Sequence, residues 1–249
     1  MLSLVFIFSL IITGISSFIA LSFSNFFIRV AGPESSIISF AGIVSAYLII
    51  GIPVLLLIAF FIRIAFKVKV RPEVNFTAWT IWFIALFFVF YAGTMTAVDF
   101  KKQQSIIKKS EFSIPDNSIY IGEMSYDFLP EYYPDYIKSP FKIYNDSLYV
   151  KYVDVQYFES DSPFVTIEQE FFARGMNDKK AIQNINKIQS SFLVNGNKIN
   201  ILPFIRMPKN SKWRNQGIKY KIYIPKGKNV IFEYDENHAK PFEIDLMEK

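Results

Sequence analysis

Three runs of about twenty or more apolar residues, none with a charge in its interior, fill most of the first hundred positions of this 249-residue chain. A helix rises about 1.5 Å per residue, so about 20 apolar residues cross a hydrocarbon layer roughly 30 Å thick. The runs cover about 2–23, 37–61 and 76–98, and each predicts a transmembrane helix, because a bilayer offers no water to satisfy the backbone of an isolated span. The first run lacks a basic leader and a clear small-x-small cleavage site, so it reads as an uncleaved helix rather than a signal peptide. In the second, Pro53 removes one backbone donor and predicts a kink near residues 46–51. Trp79, Trp82 and Tyr91 suit interfacial or bundle-facing positions in the third.

Charge divides the chain into two parts with different solvents. Residues 1–98 hold five Lys or Arg and two Asp or Glu, whereas from Asp99 onward there are 22 and 20. This near balance leaves no clustered basic face, so the net charge of +5 does not point to nucleic acid. The absence of cysteine excludes disulfides, thiol catalysis and thiolate metal sites. Between the second and third runs, Arg63, Lys67, Lys69 and Arg71 face only Glu73, while the loop after the first run carries Arg29 against Glu34. Basic loops stay in the cytoplasm. These four residues therefore set the expected topology, with the 63–71 loop inside and everything after Asp99 in the periplasm or exterior, anchored in the cytoplasmic (inner) membrane. Lys101, Lys102, Lys108 and Lys109 pull the other way, but long domains translocate largely regardless of charge.

Residues 99–112, polar and basic with Ile106 and Ile107 as the only apolar pair before Phe112, read as a juxtamembrane linker suited to anionic headgroups. Residues 113–249 read as an exported β-rich domain. Its first forty residues, rich in Tyr, Pro and Asp, predict short strands and turns. Half-buried strands follow around Leu148, Val150, Tyr152 and Val155 and over 163–171, with Gly175 ending the second. Asn177 or Asp178 caps a short helix whose Ala181, Ile182, Ile185 and Ile188 share a face. Asn195-Gly196-Asn197-Lys198 is a hairpin signal. Ile218, Tyr220, Ile222 and Ile224 alternate with Lys219, Lys221 and Tyr223, and Pro225-Lys226-Gly227-Lys228 turns the chain towards Val230, Phe232 and Tyr234. Membrane α followed by an all-β sandwich, prism or solenoid with one short helix is the expected fold class.

Catalytic constellations are thin. His238 is the sole histidine and sits in a polar Asp235-Glu236-Asn237-His238 turn, which suits a solvated tail better than a metal site or a triad. Glu168 and Glu170 share a strand face, where acid/base work is imaginable, but a solvent-facing row on an amphipathic strand is the favoured reading. Arg174 with Trp213 and Arg214 forms the most interesting polar group: a guanidinium stacked on indole makes a binding spot, and hydrogen bonds to carbonyls would make the same residues a structural or interaction cluster. No catalytic, cofactor or metal residue is assigned.

Leu48-Ile49-Ile50-Gly51-Ile52-Pro53 with its apolar continuation, Ala92-Gly93-Thr94 with Asp99-Phe100, Ala173-Arg174-Gly175 before Ala181, Lys212-Trp213-Arg214-Asn215-Gln216 and Tyr223-Ile224-Pro225-Lys226-Gly227-Lys228 together resemble the Bacteroidetes-type PspC-domain (phage-shock-protein C-like) envelope proteins. The resemblance spans most of the chain and implies a transmembrane region followed by a toast-rack type β domain. It brings no catalytic residue. The chain is expected to be the C-terminal part of such a protein, without the basic, glycine-rich PspC segment itself. The leading expectation is a non-enzymatic envelope protein that senses, scaffolds or binds partners in an envelope stress response, in contact with the lipid bilayer and with other envelope proteins or further copies of itself. A transporter or channel accessory subunit and an exported hydrolase are the alternatives.

Overall fold

The structure, a computed structural model, describes residues 24, 27–67, 71–124, 141–144, 146–208 and 211–233. The chain forms two compact units, Met1–Asp99 and Phe100–Lys249.

In the first unit, α1 (Ser36–Phe66) and α2 (Pro72–Val98) are both long and apolar enough to cross a membrane. The remaining predicted span, 2–23, lies outside the described residues. Ser35 caps α1 by accepting the Ile38 N–H at 3.4 Å, and α2 opens on Pro72, whose missing donor costs nothing in the first turn. Both helices outrun their apolar windows, so that Arg63 lies in the last turn of α1. Their outer faces carry large apolar side chains, Phe40 at 65 % and Phe76 at 76 % exposure. Helices apolar all round, with so little of their surface buried by protein, are covered by lipid.

Small residues let the two helices approach. A Cβ built on Gly42 would lie 2.9 Å from Ala92 Cβ, and Ser39, Ser45, Ala85 and Ala92 are buried. Since Gly42 meets Ala92 and Ile49 meets Trp82, the pair runs antiparallel. α1 passes through Pro53 as one helix. A proline at 53 leaves the carbonyl four residues earlier, that of Ile49, without its helical donor. The indole Nε1 of Trp82 donates to that oxygen at 3.0 Å. A polar debt that hydrocarbon could not settle is settled by the neighbouring helix.

Among its described residues the second unit contains three sheets. Sheet A has the order β1 (Lys102–Phe112), β6 (Val165–Gly175), β10 (Gly217–Pro225), β5 (Val153–Ser160). Sheet B is β11 (Asn229–Glu233), β2 (Ser118–Glu123), β8 (Lys198–Ile201), β7 (Phe192–Asn195), and sheet C is β3 (Phe141–Tyr144), β4 (Ser147–Val150), β9 (Ile205–Met207). The pairs β10/β5, β11/β2 and β2/β8 are parallel. The chain therefore repeatedly leaves one sheet for another, and among the described strands hairpins join only β3 to β4 and β7 to β8.

Alternation decides what faces the core. In β10, Ile218, Tyr220 and Ile222 are fully buried, and in β6 Val165, Ile167 and Ala173 join them. Tyr157 of β5 meets Phe232 of β11 edge-on at 5.0 Å, and Tyr220 meets Phe192 of β7 at 6.2 Å, so the inner face of sheet A packs on sheet B. Lys228 ties down the β1–β2 connection by donating to the carbonyls of Ile114 (2.6 Å) and Asp116 (2.7 Å).

Several local expectations hold. Gly196 takes φ +60° at the first of the two residues linking β7 to β8, where a II′ hairpin turn places its glycine. Asn177 caps α3 (Asp178–Ile185), accepting the Lys180 N–H at 2.9 Å, and α3 is the only α-helix after Val98 among the described residues. Its buried face differs from the expected one: Ala181, Asn184 and Ile185 are buried while Ile182 is 40 % exposed. Asn184 wins the inward place because its Nδ2 donates to the Arg174 carbonyl at 2.9 Å.

Residues 102–112, expected within a linker, are instead the edge strand β1, in register with β6 from Lys102↔Gly175 to Phe112↔Val165. Charged side chains and weak alternation on an edge strand hide it from a periodicity argument, and lysines there discourage pairing with other chains. The apolar positions from Leu148 to Val155 divide between β4 and β5, in different sheets. The aromatic stretch 125–140 lies outside the described residues.

Candidate functional site

The outward face of sheet A is a lattice of charge. Register puts Lys109, Glu168, Lys221 and Gln156 in one row and Ile107, Glu170, Lys219 and Asp154 in the next. Lys109 pairs with Glu168, Lys221 with Glu170 at 3.5 Å and Lys219 with Asp154 at 3.4 Å. The hydrogen-bonded Glu168 carboxylate raises the Lys109 pKa above its ordinary value. Burial, seconded by Glu168, raises that of Tyr223, whose hydroxyl donates to Glu168 at 3.5 Å. Glu168 and Glu170 do share a face, and each is occupied by a lysine.

At one end of this face an open cleft of about 660 Å³ is lined by Gln103, Tyr152, Asp154, Phe172, Arg174 and Asn215, among others. Two of its lining rings, Phe172 and Tyr152, lie close over Gly217. A Cβ there would lie 2.4 Å from both the Phe172 and the Tyr152 rings, so only glycine lets these rings, edge-on at 5.5 Å, lie over the sheet. Arg174 is exposed, and its Nε donates to Gln103 Oε1 at 3.3 Å. Its backbone is clamped on both sides: the N–H donates to the Arg214 carbonyl at 2.7 Å and the carbonyl accepts from Asn184.

The wall beside Arg174 is the 211–216 loop. Arg214 is 1 % exposed; its Nη1 donates to the Trp213 carbonyl at 2.8 Å and its guanidinium lies 5.3 Å from the Phe100 ring centroid. The buried Gln216 amide holds the loop together, accepting from the Arg214 N–H and donating to the Lys212 carbonyl at 3.1 Å. This bracing sets Asn215 at φ +55°. Trp213 packs edge-on against Phe141 (5.0 Å) and Phe100 (6.0 Å), with its indole N–H shielded and without an acceptor among the described residues. Burial, together with Arg214, lowers the Lys212 pKa.

Arg174, Trp213 and Arg214 are thus brought together, but with separate tasks. Arg214 lies over Phe100 instead of indole and turns inward to brace the loop. Arg174 turns outward and lines the cleft. Of the topology residues, Arg63 and Lys67 close α1, Arg71 precedes α2, and Lys69 lies outside the described residues, as does His238. Sequence reasoning missed Tyr152, Phe172, Gln216 and Gly217 as site residues. A glycine opening a strongly alternating strand was the one available signal.

With this geometry in place, comparison with protein families matches residues 1–100 to the PspC transmembrane region and residues 143–244 to the ToastRack found in some PspC. Two matches in tandem, membrane part then β part, cover most of the sequence. The chain belongs to the PspC-like family. Within this PspC-like protein, β1 and β2 precede the matched toast-rack range yet supply strands to sheets A and B, so the folded domain begins before that range. Searches of curated proteins and of solved structures return no match.

Proposed function

We propose that this PspC-like protein is a non-enzymatic scaffold of the cell envelope, whose membrane helices hold a partner-binding toast-rack domain on the outer side of the cytoplasmic membrane during envelope stress. The observation that carries the reading is the covalent order of the parts: α2 ends at Val98 and β1 begins at Lys102, so a rigid β module emerges directly from a membrane anchor. The outward direction rests on Arg63, Lys67 and Arg71 at one end of the antiparallel helix pair and Asp99 at the other. An accessory role in a transporter draws less support, since it calls for polar groups available inside the spans. The Ser39 hydroxyl is spent on the Pro33 and Ser35 carbonyls, both at 3.1 Å.

Deletion of the gene followed by challenge with a membrane-depolarising agent tests the proposal. Survival should fall, the full chain should restore it, and residues 1–100 alone should not. Restoration by the anchor alone, or no effect of deletion, would overturn it.

A further inference from the structure

We infer that the cleft at the Arg174 end of sheet A is the docking site for an acidic, aromatic-containing extended segment of a partner protein, an inference that rests on the scaffold reading above and names its binding surface. Lys219 is matched by Asp154 at 3.4 Å, and Glu170, also in the cleft, is matched by Lys221 at 3.5 Å. Arg174 is the cleft's remaining charge, and its hydrogen bond to Gln103 uses only Nε and a neutral acceptor. Among the described residues no carboxylate pairs with it. A planar guanidinium with its terminal nitrogens uncommitted suits a carboxylate, which it can hold by two parallel hydrogen bonds.

The shape of the cleft matches the same ligand. Tyr152, 46 % exposed, and the half-buried Phe172 line the same cleft as that cation. An apolar or aromatic side chain flanking the carboxylate would cover them. The rings occupy this place because Gly217 has no Cβ. The site is also built in advance of any ligand. Arg174 is fixed through both of its backbone polar groups, and the adjoining wall is braced by the fully buried Gln216 and nearly buried Arg214. Little ordering is left for binding to impose. The Arg214 guanidinium braces this loop through the Trp213 carbonyl, and the Arg214 backbone carbonyl in turn holds the Arg174 N–H in line.

The test uses the full chain in nanodiscs and two fluorescein-labelled extended peptides, one with a Glu-Phe-Glu core and one with Gln-Phe-Gln, followed by fluorescence anisotropy. The acidic peptide should bind saturably, and the neutral one roughly tenfold more weakly or not at all. Arg174→Gln should weaken the acidic peptide roughly tenfold at an unchanged unfolding midpoint, because the clamps on residue 174 are backbone ones. Arg174→Lys should recover part of the loss. Absence of saturable binding, equal binding of the two peptides, or full affinity in Arg174→Gln would overturn the assignment. Failure here is separable from failure of the scaffold reading. If the peptide does not bind but deletion still sensitises cells and only the full chain rescues them, the cleft assignment falls alone. If the peptide binds as expected and deletion has no effect, the cleft stands and the stress role falls.

Discussion

Gly175 shows how a single missing methyl group can hold an element in place. A Cβ there would lie 2.4 Å from the Ala181 nitrogen and 2.8 Å from the Lys180 carbonyl carbon, both backbone atoms that cannot swing aside as a side chain would. Gly175→Ala should therefore force α3 off the end of β6, costing about 2 kcal/mol and roughly 4–8 °C in Tm. Thermal unfolding checks this, and an unchanged midpoint would show that α3 shifts freely. Tyr220 makes a pH prediction at the same scale. Burial raises its pKa, while Ser190, whose hydroxyl shares a hydrogen bond with the phenol at 3.1 Å, and Gln169 at 3.4 Å lower it less. The folded state thus holds its proton longer than the unfolded chain, where tyrosine ionises near pH 10. The contribution is present below about pH 10 and lost as pH rises through the folded value. Alkaline denaturation should steepen above that point, and Tyr220→Phe should flatten the slope. Lys212, lowered by burial, acts with opposite sign, so the comparison of wild type with Tyr220→Phe is the clean one.

Among the elements, α1 and α2 depend on each other through one carbonyl. Pro53 deprives Ile49 of its helical donor and Trp82 replaces it at 3.0 Å, so the proline and the tryptophan act as a couple. Trp82→Phe should cost about 1 kcal/mol of helix association in the wild-type background. In Pro53→Ala, where residue 53 regains an N–H for Ile49, the same substitution should cost only lost packing. Unfolding in detergent or bicelles across the four variants measures this coupling; equal costs in both backgrounds would exclude it. The helices themselves were legible from the sequence, since a charge-free apolar run in lipid has only one conformation open to it. β1 was not. An edge strand satisfies half of its backbone through β6 and the rest through solvent, so its side chains need no alternation, and Lys102, Lys108 and Lys109 read as a linker until their partner strand is seen. The inward turn of Asn184 in α3 was equally hidden, because it depends on a carbonyl ten residues earlier.

At the level of the whole molecule, the chain's lack of cysteine makes its topology easy to probe. A cysteine at exposed Lys226, beside the β10–β11 turn, should react with a membrane-impermeant maleimide in intact spheroplasts, and one at Lys67 should react only after permeabilisation. The reverse pattern would turn the protein over and place the toast-rack domain in the cytoplasm. Two described membrane spans, the switch near Asp99 from apolar to mixed composition, the β7–β8 hairpin and the inward row Ile218, Tyr220, Ile222 and Ile224 were all legible in the order of the residues. Each follows from solvent or from neighbours within a few residues, which sequence records directly. Tertiary structure alone decided that β10 runs parallel to β5, that Trp82 answers for Pro53, and that Arg214 turns inward while Arg174 opens onto a cleft. These features join residues tens of positions apart, and the free energy that selects them resides in pairings that exist only once the chain has folded.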